Sequence, residues 1–273
     1  MTLNADPVLN DPALVQASAE LVGRLPSWVE NAELRIRMLH PLEGSRAQVD
    51  DNVKPIDPPS DQIVHLLHSA LDHLTMLAQG IEANGPRPLA GYSLIRVAIE
   101  ASALASWLML PGTIDARVRR SIRLTWDNRQ RVIVYTKKYP TPTDAITKEL
   151  RRLLTEVIQS RPGLKSLDLD KPFAHLTDII GDVDKKIPEN RGAKLIGVDA
   201  WRACSGIAHS NSNFAAGALS RTEMPDHILV TVSLTTLGMM LEQATRHLSF
   251  AIGLAEKCML SVRASAPRGA GSA

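Results

Sequence analysis

Helix breaks are the feature of this chain that most narrows its fold. Asp11-Pro12, Asn84-Gly85-Pro86, Pro111-Gly112 and the two prolines Pro140 and Pro142 interrupt long stretches of helical patterning. Asp followed by Pro reads as an N-cap and a first helical residue, a position whose backbone N–H has no intrahelical partner to lose. Ser27 with Glu30 reads as a capping box, and Thr113 as a cap with Asp115 in the first turn. These signals predict helices from Pro12, from Ser27, and over 60–83, 89–110, 113–138, 143–160, 173–183, 201–210 and 235–262. The last carries an apolar stripe through Leu237, Leu241, Ala244, Leu248, Ile252 and Ala255. Residues 40–59, polar and with four prolines, read as a long connection.

One segment breaks the helical pattern. The β-branched run 227–234 predicts a strand, pairing with 216–221 across 223–226. The expected fold is therefore all-α, an antiparallel helical bundle with one small β-hairpin, since short connections favour antiparallel neighbours. The expected division is 1–59 (N-terminal helices and Pro-rich connection), 60–262 (the bundle) and 263–273 (a small, polar, disordered tail).

Composition sets further bounds. Apolar residues make up 44% and aromatics only 4%, so Leu, Ile, Val, Ala and Met must fill the core. A net charge of +2 argues against a protein built to coat nucleic acid. Cys204 and Cys258 make no disulfide framework and match no zinc spacing, which points to a reducing cytoplasm. The N-terminus lacks the pattern of a signal peptide, and no apolar run reaches the ~18 residues of a membrane span. A soluble, cytoplasmic protein is expected.

The chemically suggestive segment is WRACSGIAHSN, where Arg202 and His209 stand seven residues apart. That is just under two helical turns, so they share a face roughly 10 Å apart along the axis. A permanent cation beside a group that titrates near neutrality suits phosphate-ester chemistry. The spacing itself is unspecific, because Arg35/His40 and Arg221/His227 are similar. Only Arg202 and His209 lie within an amphipathic segment. The competing reading is a surface arginine and a histidine capping a helix C-terminus.

Three other groups stand out. Glu100 interrupts the apolar helix LIRVAIEASALASWLML and needs a partner: Arg96 one turn before it, with a second arginine such as Arg202 from another helix. The same pair read structurally fixes helix register. Arg120, Arg123 and Arg131, with Asp127, form a stripe on an arginine-rich helix that also carries Lys137 and Lys138. That stripe would attract a phosphate backbone or serve as a solvated face. His65, His68 and Asp72 have one-face metal spacing beside His73, but nothing completes a ligand set and a polar helix face is the better reading. No GxGxxG, P-loop or GxSxG motif occurs, so neither cofactor nor metal is expected.

Taken together, LIRVAIEASALASWL, RVRRSIRLTW and WRACSGIAHSN resemble the helical scaffold of the HEPN superfamily, loosely over 60–262. The resemblance implies an arginine–histidine motif late in a helical bundle, met here by Arg202 and His209 alone; Arg96 and Glu100 are supporting residues on the reading of their own helix. It further implies a homodimer acting as a metal-independent ribonuclease, a toxin or anti-phage effector paired with an antitoxin or other protein partner. Other members keep the fold without activity, as non-catalytic interaction or ligand-binding modules. The polar residue that often follows the motif arginine is replaced by Ala203.

Overall fold

The computed structural model describes residues 11–136, 143–191, 193 and 195–262. The expected disordered tail, Pro140, Pro142, Lys137 and Lys138 lie outside the described residues. Ten α-helices and one hairpin make up the described fold. They are α1 (Pro12–Arg37), α2 (Arg46–Val53), α3 (Pro59–Asn84), α4 (Ala90–Met109), α5 (Ile114–Thr136), α6 (Thr143–Ser160), α7 (Leu176–Asp184), α8 (Gly197–Ala208), α9 (Ser212–Ala218) and α10 (Leu234–Met259). Strands β1 (Leu219–Glu223) and β2 (Ile228–Val232) lie between α9 and α10 and pair antiparallel. The chain is all-α with a small hairpin. No described helix is long and apolar enough to cross a membrane.

The chain divides into two compact units. The first takes the segment up to Met38, His65–Ser106 and Ala174–Ile252; the second takes Leu39–Val64, Trp107–Phe173 and the chain from Gly253. Helices α3, α4 and α10 contribute residues to both.

In the first unit, buried apolar residues recur at helical spacing. Val22, Leu25, Val29, Ala32 and Ile36 line one face of α1, and Leu237, Leu241, Ala244, Leu248 and Ile252 line one face of α10. All six residues of the expected α10 stripe are buried, Ala255 included. In the second unit, Val118, Ile122 and Trp126 of α5 pack with Leu154 and Ile158 of α6 and with Leu164 and Leu169 beyond it. Arg117 of α5 is buried there and makes a two-pronged bond to Asp50 of α2, at 2.5 Å and 2.7 Å.

Three local expectations are corrected. The helix expected to begin at Ser27 is the second half of α1, which runs unbroken through Pro26. The buried face on either side of Pro26 is continuous, and its burial outweighs the ~3 kcal/mol cost of an internal proline. The connection 40–59 contains α2, opened by a Ser45 cap: Ser45 Oγ accepts from Gln48 N at 3.2 Å, and Gln48 Oε1 reaches back past the cap to accept from Gly44 N at 2.7 Å. Residues 216–218, expected in a strand, belong to α9, because the Asn211 side chain caps that helix through the amides of Asn213 and Phe214.

Candidate functional site

Helix α8 carries the arginine–histidine pair, and its start lacks a local cap. Ile196 at the N-cap has no side-chain oxygen to offer. Asp184, the last residue of α7, supplies one instead: its carboxylate accepts from Gly197 N at 2.9 Å and Val198 N at 2.8 Å. A carboxylate suits a helix N-terminus because the orphan amides and the helix dipole both favour negative charge. The same carboxylate accepts from Asn190 Nδ2 at 2.8 Å and from His247 Nε2 of α10 at 2.9 Å. Asp184 and His247 are both buried. Burial pushes the Asp184 carboxyl up, but hydrogen bonding and attraction from His247, with the two backbone amides, outweigh it and hold the group below the usual carboxylate range.

Gly197 is required at this junction. A Cβ there would collide with His247 Nε2 and Asp184 Oδ1. Arg246, beside His247, donates to Glu189 O at 3.1 Å and Asn190 Oδ1 at 3.2 Å, closing the network over the α7–α8 connection. His247 Nδ1 and Gln243 Oε1, one turn apart on α10, are buried without a hydrogen-bond partner among the described residues.

The faces of α8 have separate tasks. Ala200, Cys204 and Ile207 are buried. Burial pushes the Cys204 thiol up to about 12, so it is a packing residue and not a nucleophile. Trp201 donates through Nε1 to Glu100 Oε2 at 3.3 Å, and the Arg96 guanidinium lies over its ring at 5.6 Å. Arg96 and Glu100 pair loosely at 3.8 Å. Glu100 therefore takes its second partner from α8 as Trp201, and the suggestion of Arg202 in that role is corrected.

Arg202 and His209 are exposed, and neither side chain has a hydrogen-bonding or ionic partner among the described residues. His209 is the C-cap of α8, with φ −89° and ψ 15°. The turn that follows is tight: Ser210 has φ 58°, and Asn211 N donates to Gly206 O at 2.9 Å. Phe214 of α9 packs on Gly206 so closely that a Cβ there would strike its ring. The pair thus sits on a short helix fixed at its start by Asp184 and at its end by the α9 turn.

The arginine stripe of α5 has structural work. Arg120 donates to Trp107 O and lies over the Trp107 ring at 4.5 Å. Arg123 holds three carbonyls, Asp168 O at 2.7 Å, Lys171 O at 2.6 Å and Pro172 O. Arg119 donates to Gly163 O at 2.6 Å. Arg131 is exposed and pairs with Asp127 at 2.7 Å. Arg123 also borders a cavity of about 210 Å³ floored by Trp126 and Phe173. His65, His68 and Asp72 are exposed, His73 Nδ1 lies 2.7 Å from Ser69 O, and among the described residues no three His, Cys, Asp or Glu side chains converge as a metal site would require.

Sequence reasoning missed Asp184, His247, Asp50 and the fully buried Lys54. The available signal was His247 itself, placed between Ala244 and Leu248 in an otherwise apolar stripe, where an imidazole must find a buried partner. No protein-family model matches the chain, and neither a curated protein nor a solved structure matches it.

Proposed function

We propose that the protein is a metal-independent endoribonuclease in which Arg202 and His209 act on a scissile phosphate. The observation that carries this reading is the pair itself: two exposed side chains of the right chemistry, without a partner among the described residues, on a helix anchored at both ends. RNA brings its own nucleophile. His209 takes the proton of the 2′-hydroxyl as its oxygen bonds to phosphorus, and Arg202 holds the charge that builds on the phosphoryl oxygens. The bond from phosphorus to the 5′-oxygen then breaks, and a second imidazole returns a proton to that leaving oxygen. A homodimer with its contact near 201–210 would place two such pairs in one cleft. A toxin or anti-phage effector of the cytoplasm, held in check by an antitoxin, is the cellular role that fits this chemistry. Two buried, unpaired thiols agree with a reducing compartment. The test is induction in cells beside an Arg202→Ala/His209→Ala variant, with growth and RNA integrity as readouts. Arrest and RNA fragmentation are expected from the wild type alone.

A second reading has its own observation. Arg119, Arg120 and Arg123 hold backbone carbonyls, so α5 offers fewer free cations to RNA than its sequence promises. This favours a non-catalytic helical interaction or ligand-binding module, with Arg202 and His209 contacting a protein partner. Intact RNA in cells expressing the wild type selects it.

A further inference from the structure

The hairpin leaves an edge that matches its own copy. Its register pairs Leu219 with Val232, Arg221 with Val230 and Glu223 with Ile228. Met224 N donates to His227 O at 2.9 Å, and Ser233 N to Ala218 O at 3.2 Å. Hydrogen-bonded and non-bonded pairs alternate along an antiparallel ladder. Leu229 and Thr231 therefore bond inward to β1, while Ile228, Val230 and Val232 turn their backbone N–H and C=O groups outward. The described sheet has only these two strands, so nothing in it meets that edge.

The edge is also unguarded. Proteins protect open edges with charges, prolines or bulges, and the sequence ILVTV of β2 has no charge, proline or glycine. Neighbouring Leu229 and Val230, which alternate between the two faces of the ribbon, are 45% and 41% exposed. A two-stranded ribbon is marginal by itself. The β1 strand differs, with Arg221 and Glu223 at positions whose backbone faces its own outer edge.

We propose that β2 pairs antiparallel with β2 of a second copy about a two-fold axis at Val230, giving a four-stranded sheet in the order β1-β2-β2-β1. The outward groups are self-complementary in this register: Val230 meets Val230, and Ile228 meets Val232 in both directions, each pair closing two hydrogen bonds. A strand without charge meets its copy with no like-charge contact, which selects a second copy over a charged partner. Charged β1 positions on the outside stop the sheet from growing, so the assembly closes as a dimer. The proposal does not rest on the ribonuclease reading, and it is an alternative to the α8 contact suggested with it as the surface that holds the dimer.

The test is sedimentation equilibrium of the full chain at micromolar concentration without RNA. Wild type is expected at twice the chain mass. Val230→Pro removes an N–H that faces away from β1 and leaves the internal ladder intact, so self-association should weaken roughly tenfold or more. Val230→Lys, which sets like charges against each other at the axis, should do the same. Val230→Cys should be joined to its copy by a short bismaleimide, the native Cys204 and Cys258 being buried. A monomeric wild type, or a dimer that survives both the proline and lysine variants, overturns the proposal. The second result would assign the dimer to another surface, with the ribonuclease reading untouched.

Discussion

Asp184 and His247 meet at 2.9 Å in the interior of the first unit, 63 residues apart in the chain. The same carboxylate caps α8. One buried anion therefore ties α7 to α10 and starts the helix that bears Arg202 and His209. The helix that carries an exposed pair of side chains is set at its start by a buried group.

Removing that anion should be costly. Asp184→Ala leaves two helix amides and a buried imidazole without their acceptor, and a loss of about 3–5 kcal/mol is expected from thermal or urea unfolding. The pH dependence has a definite sign. The folded carboxyl titrates below its unfolded value of about 3.9. Its contribution is present above that value and is lost as pH falls through the folded one. Acid titration of wild type against Asp184→Asn should show the steeper loss in wild type; parallel curves would remove Asp184 from this role.

Lys54 has a dependence of the same sign, in the alkaline range. Its side chain is fully buried, with Nζ bonded to Ile56 O at 2.7 Å and to Asp57 O, and the Asp57 carboxylate 3.8 Å away. Burial pushes the ammonium down to about 8, against the attraction of Asp57, Asp51 and Asp61. Between that value and about 10.4 the unfolded chain holds more protons than the folded one. Stability attributable to Lys54 should rise with pH across this window, by at most about 1.4 kcal/mol per pH unit. Lys54→Met should flatten the rise in chemical denaturation measured from neutral to alkaline pH.

Much of the fold was legible in the sequence because its signals are local. Asp11-Pro12 opens α1, the prediction for 143–160 coincides with α6, and the α10 stripe is buried throughout. What escaped was non-local. The sequence predicts α8 over 201–210, but the helix begins at Gly197, since its cap comes from Asp184, thirteen residues earlier. The Glu100 anomaly correctly pointed to a partner on the helix of Arg202, but spacing cannot say which side chain arrives, and Trp201 does. The basic stripe on α5 was visible as charge; its use against backbone carbonyls depends on loops whose course no periodicity encodes.

Arg123 separates those two uses. As a clamp on Asp168, Lys171 and Pro172 it should, when changed to Ala, loosen 168–173 and cost about 1–2 kcal/mol. Hydrogen exchange should quicken in that segment while the α10 core stays protected. Arg131→Ala, at an exposed pair, should leave exchange unchanged. If RNA affinity falls more for Arg123→Ala than for Arg131→Ala, with exchange in 168–173 unaltered, the clamp is wrong and the stripe is a nucleic-acid surface.

Arg202 and His209 give the sharpest functional expectation. Both are exposed and unpartnered among the described residues, so each alanine variant should melt within about 0.5 kcal/mol of wild type. RNA cleavage should nevertheless vanish on His209→Ala, because the variant has no imidazole to take the proton of the 2′-hydroxyl. Arg202→Lys should also be impaired, since an ammonium cannot grip two phosphoryl oxygens as a planar guanidinium does. Asp184→Asn should lower activity in step with the loss of α8 order, whereas His209→Ala should abolish it in a fully folded chain. Cleavage should persist in EDTA, as the proposed chemistry uses only the 2′-hydroxyl, two imidazoles and a guanidinium. Activity that survives His209→Ala, or disappears when EDTA is added, would sink the mechanism and leave α8 as a recognition helix.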